Sequence, residues 1–104
     1  MVLPPTERPT LMAKIVSILK HRHMTGRTAV YSGTIDQLRD DVFGYTLEVG
    51  ASWDPKVNRT PKTARSLVTA LNRSGEASGS YDSYELATEA DIADAKADGS
   101  LYAR

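Results

Sequence analysis

The sequence predicts an α+β domain, mostly helical, with a small β-hairpin. Three observations predict it. Apolar residues recur at helical spacing around Met12–Leu19, Ile35–Val42 and Ala64–Leu71. Two short runs, "RTAVY" and "YDSYELAT", are rich in the β-branched and aromatic residues that suit strands. Capping and stop signals then bracket the helical stretches, so the elements separate cleanly.

The chain of 104 residues has room for one domain, drawn here as residues 9–98 between a lead-in, 1–8, and a tail, 99–104. Pro4 and Pro5 keep the lead-in extended. Met12, Ile15, Val16 and Leu19 share a stripe that predicts a first helix over Pro9–His23, with Pro9 tolerated in its first turn. Gly26 and Gly33 then bracket the strand-like "RTAVY". Thr34 and Gln37 have the spacing of a capping box and open a second helix, buried through Ile35, Leu38 and Val42.

"FGYTLEVGASWDPKVNR" is the least legible stretch. "YTLEV" alternates like a strand, yet a short helical turn fits as well, and Trp53 is expected to pack on the core before Asp54-Pro55 turns the chain. A third helix follows, with Thr60 as N-cap, Pro61 at the first helical position and Gly75 as its stop. Ala64, Leu67, Val68 and Leu71 form its apolar stripe. "YDSYELAT" predicts a strand, "TEADIADAKADG" a short acidic fourth helix, and "SLYAR" a tail. Three helices with a small strand after the first and a hairpin after the third are laid out like a winged helix-turn-helix.

Composition excludes several classes of function. With no cysteine there is no disulfide framework, thiolate metal site or cysteine nucleophile. No apolar run approaches a membrane span, and "MVLPPTERPT" lacks a signal-peptide layout, so a cytoplasmic protein without membrane contact is expected. No phosphate loop, nucleophile elbow or metal-ligand spacing appears; neither an enzyme nor a cofactor is expected. His21 and His23 in "KHRH" extend a basic stretch, and Asp36, Asp40 and Asp41 read as surface groups.

The charge is uneven. Residues 1–73 hold 11 Lys/Arg against 6 Asp/Glu, and residues 74–104 hold 2 against 7. Lys62, Arg65, Ser66, Thr69 and Arg73 share the face of the third helix opposite its apolar stripe, with Asn72 at the edge. No acid lies between Lys56 and Arg73, whereas ordinary exposed helix faces mix both signs. Cations neutralise phosphates, and hydroxyls and amides bond to phosphates and base edges. The expected DNA-contacting set is therefore Lys56, Arg59, Lys62, Arg65, Ser66, Thr69 and Arg73, with "KHRH" reaching further phosphates. The alternative is a protein-interaction or inhibitor module acting through residues 76–104, with Tyr81, Tyr84 and Leu86 as its surface. The small residues of "ADIADA" also suit a homodimer through the fourth helix.

Gly33, Thr34 and Leu38, then Trp53, Pro61, Lys62, Thr63, Arg65, Leu67, Ala70, Leu71 and Arg73, form a pattern over Tyr31 to Gly75. In it the chain resembles the small winged-helix domain near the C-terminus of phage- and plasmid-type primase–helicase replication proteins. The resemblance implies a DNA-binding module of mobile-element origin, free or part of a larger replication protein. Two departures stand out: "DPKVNRT" separates Trp53 from Pro61, and an acidic segment replaces the basic wing.

Overall fold

The structure, a computed structural model, describes residues 14–103. Its elements are β1 (Val16–His21), β2 (Thr28–Gly33), α1 (Gln37–Val42), α2 (Gly44–Trp53), α3 (Ala64–Ser78), β3 (Ser83–Leu86), α4 (Glu89–Asp98) and β4 (Leu101–Ala103). The α+β class holds, with four strands where a small hairpin was expected.

The sheet order is β3-β1-β2-β4. β1 is antiparallel to both β2 and β3, and β4 runs parallel to β2, so β2, β3 and β4 all point one way. Parallel neighbours need crossovers. β2 and β4 are the parallel neighbours, and the chain joins them in two steps: α1, α2 and α3 carry it from β2 past β1 to β3, and α4 carries it back across the sheet to β4.

The first predicted helix is a strand over its described part; its residues 9–13, like the lead-in 1–8, lie outside the described residues. The reason is two-sided burial. Ile18 packs with Leu38, Phe43, Leu67, Leu71 and Tyr84, while its neighbour Leu19 packs with Val30 and Ala95. A strand covered on both faces reads as a continuous apolar run, which helical spacing imitates over a short window. The first element of a three-helix arrangement is therefore absent from the described residues.

Thr34 and Gln37 form the expected reciprocal cap: each backbone N–H donates to the other's side chain, at 3.0 and 3.2 Å. α1 is wide-turned, with the Phe43 N–H donating to the Leu38 carbonyl five residues back, at 2.8 Å. That turn delivers Phe43 to the core, edge-on to both Tyr31 and Tyr84.

"YTLEV" is helical, within α2. Trp53, expected in the core, ends α2 with 70 % of its surface exposed. α2 packs along α3, where Gly50 meets Ser74: a Cβ at Gly50 would lie 2.7 Å from the Ser74 Cα. Ser74 is fully buried and donates its hydroxyl to the Thr46 carbonyl.

α3 starts later and ends later than its sequence signals suggest. Thr63, not Thr60, is the N-cap, because Ser66 closes a capping box with it while the Pro61 carbonyl accepts from Arg39 at 3.2 Å. The helix runs through Gly75, whose missing side chain lets the Asp82 carbonyl approach; a Cβ there would be 2.7 Å from it. Gly79, at φ 79°, makes the actual left-handed stop. α4 forms as expected, capped by Thr88 with Asp91 and stopped by Gly99. The predicted tail is instead edge strand β4, pairing Val30 with Leu101 and Tyr31 with Tyr102.

Candidate nucleic-acid interface

After α2, Asp54 accepts the Lys56 N–H at 3.0 Å and starts a 3-10 turn, Pro55–Val57. Val57 is buried and anchors this turn, and Pro61, also buried, anchors the segment's other end. Between these pins the chain exposes Lys56, Arg59 and Lys62, then passes into α3 with Arg65 and Arg73 exposed on its outer side.

An open groove of about 480 Å³ follows this path. Lys56, Arg59, Lys62, Ser66, Thr69 and Arg73 line it, so six of the seven expected DNA-contacting residues come together. Arg65 lies outside that lining, one residue before Ser66 on the exposed side of the helix. Among the described residues none of these five cations forms a salt bridge.

The two hydroxyls are less available than their spacing suggests. Ser66 Oγ accepts the Thr63 N–H at 3.0 Å and donates within the cap. Thr69 Oγ1 donates to the Arg65 carbonyl at 3.1 Å. Asn72, the expected edge residue, turns to β3: its amide donates to the Tyr84 carbonyl at 2.9 Å and accepts the Tyr84 N–H at 2.7 Å. The free donors of the interface are thus its cations.

The start of α3 carries no acid in its first turn, and Lys62 and Arg65 flank its N-cap. A helix N-terminus bears partial positive charge, so cations there oppose helix stability and reinforce attraction for anions. Arg39 behaves in the opposite manner. It holds Asp36 at 3.0 Å and Asp40 at 2.8 Å, and its remaining nitrogen fixes the Pro61 carbonyl. This pairing holds the Asp40 carboxyl below its ordinary pKa, through the hydrogen bond first and then the guanidinium charge, and raises that of Arg39.

"KHRH" does not join the groove. Lys20 pairs with Asp82 at 3.7 Å, His21 lies 3.6 Å from Glu85, and the His23 N–H donates to Asp82. On the C-terminal segment, Tyr81 and Leu86 are exposed, but Tyr84 is 5 % exposed, buried among Phe43, Ile18 and Leu71. The surface expected of those three residues therefore loses its middle member. Among the described residues no three His, Asp or Glu side chains stand together as metal ligands, and no helix is long and apolar enough to cross a membrane.

One exposed aromatic that spacing missed, Tyr45, lines a groove adjoining the cationic one through Arg59, Thr60 and Pro61. Tyr45 is 79 % exposed and, like Trp53, points away from the core. Their signal was present as an aromatic at each end of one helix, but the strand-like alternation of "YTLEV" hid it. The chain matches no protein-family model, no curated protein and no solved structure.

Proposed function

We propose that this domain binds DNA through its phosphate backbone, using Lys56, Arg59, Lys62, Arg65 and Arg73. The observation that carries the proposal is the gathering of five exposed cations, none in a salt bridge, along one groove and helix start with no acid in that stretch of chain. The placement of Ser66 and Thr69 favours holding the backbone over reading base edges, since both hydroxyls are engaged in α3 itself. The resemblance to replication-protein winged helices points the same way through Lys62, Arg65 and Arg73. It gives a setting, a phage or plasmid replication system, and no further residue.

Binding of this kind is salt-sensitive because each neutralised phosphate releases counterions. Five contacts give a slope of about −4.5 in log affinity against log salt, a loss of several hundredfold, roughly, between 50 and 200 mM. Titration of a labelled duplex at several salt concentrations measures it. The proposal fails if no binding occurs at low salt, or if Arg65→Glu leaves affinity unchanged.

A further inference from the structure

The outward side of α2 carries an aromatic pair that folding does not use. Tyr45 is 79 % exposed and Trp53 70 %, and neither ring contacts another aromatic ring among the described residues. Isolated exposed apolar residues are ordinary, but two large rings on one short helix, next to a cationic segment, are a specific arrangement. A second open groove, of about 720 Å³, runs from Tyr45 past Ser52 to Asn58, Arg59 and Thr60. It shares Val57, Arg59, Thr60 and Pro61 with the cationic groove, so one continuous surface joins the Tyr45 ring to the cations, while Trp53 lies outside both linings. Trp53 follows Ser52 directly and precedes Lys56 by three residues.

We propose that the preferred ligand is single-stranded nucleic acid, its phosphates on Arg59, Lys56 and Lys62 and its unpaired bases stacked on Tyr45 and Trp53. The inference rests on the backbone-binding reading above and adds the form of the strand. Nucleic-acid strands are anionic and every base has a flat face, so cations beside exposed rings capture a single strand without choosing its sequence. A duplex keeps its base faces inside the stack and offers the rings nothing. Eight residues of helix separate the two rings by about 12 Å along the axis, too far for adjacent stacked bases at about 3.4 Å. Each ring therefore holds a separate base of a spread strand. Glu48 also lines the aromatic groove, and Asp40 there shares Arg39 with Asp36, so the strand's phosphates track on the Lys56–Lys62 side and its bases on the Tyr45 side.

Trp53 is the only tryptophan in the chain and reports directly on stacking. The full chain is titrated with a labelled oligo(dT) and with a duplex of equal length, following label anisotropy and tryptophan emission together. Oligo(dT) is expected to quench Trp53 in step with binding. Tyr45→Ala and Trp53→Ala are each expected to weaken oligo(dT) about tenfold while leaving the duplex within about twofold. Both residues are exposed, so unchanged melting temperatures check that the variants fold. Equal binding of the two ligands with unaltered emission overturns the single-strand inference and leaves the backbone reading standing. Failure of both ligands to bind at low salt overturns the backbone reading itself. Loss of a sedimentation-detected dimer in Trp53→Ala, with oligo(dT) affinity intact, overturns the inference in favour of a protein contact.

Discussion

The seam between α2 and α3 and the outer faces of the same two helices obey different demands. Along the seam every group has a partner. Gly50 leaves space for Ser74, the Ser74 hydroxyl reaches the Thr46 carbonyl, and Leu67 and Leu71 are fully buried. On the outer faces Tyr45, Trp53, Arg65 and Arg73, and Lys62 just before α3, have neither burial nor ion-pair partners among the described residues. Two helices that fold by one set of residues thus display another set that folding does not need. Substitutions on the seam should cost stability and leave binding intrinsic to the surface; substitutions on the outer faces should do the reverse.

The largest effect is expected at the seam's tightest point. In Gly50→Ala the new methyl meets backbone as well as the Ser74 side chain, so the helices must separate and the buried hydroxyl loses its geometry. Overpacking of this sort costs about 3 kcal/mol, read as a lower denaturant midpoint. An unchanged midpoint would mean the seam is looser than its geometry implies.

Next in size is a pH effect at Tyr84, which sits under α3 beside Lys20. Burial pushes its phenol up to about 12, with the Asp82 charge adding to the shift. An unfolded tyrosine ionises near 10. Below about pH 10 both states keep the proton and this contribution is fully present; as pH rises toward and through about 12 it is lost, because the unfolded chain ionises first. About 2 kcal/mol should disappear over that window. Tyr84→Phe should flatten the loss in a denaturation series, after correction for the other ionising groups. Smaller again is Asn72→Leu, which removes both bonds to the Tyr84 backbone at the outer edge of β3. Its cost should be about 1–2 kcal/mol by thermal denaturation.

The same division explains what was legible in the sequence. The stripe of α3, the box at Thr34 and the cap and glycine stop of α4 were readable because periodicity and capping act over a few residues. The cationic set was readable for a similar reason: one helix and its approach bring it together. β1 was not, because both its faces are buried by segments far along the chain, α3 and α4. Trp53 and Tyr84 were misplaced in opposite directions, one expected inside and found outside, the other the reverse. Nothing local distinguishes two aromatics in alternating sequence; the sheet order and the path of α2 decide. Gly75 carried the usual signal of a helix stop, but the close approach of Asp82 is a tertiary reason for the same residue. Thr60 and Thr63 were equally good caps locally, and the Arg39 bond to Pro61 favours the second.

The smallest stability effect discriminates best, because its sign is unusual. Arg65 is the second residue of α3, in a first turn that holds no acid. The positive end of the helix disfavours a cation there and favours a carboxylate. If Arg65 served the fold, Arg65→Glu would lower stability. If it serves an anionic ligand, the same change should raise stability by about 0.5 kcal/mol while it weakens DNA binding and flattens the salt slope by about 1 or more. Arg39→Ala supplies the opposite control. Its guanidinium ties Asp36, Asp40 and the Pro61 carbonyl together, so its loss should lower the melting temperature and reach binding only by loosening the 59–62 segment. Melting curves and salt-dependent titrations on both variants separate the two roles. A stabilised Arg65→Glu protein that no longer holds DNA would mean that α3 keeps an unfavourable charge at its start for the sake of its ligand.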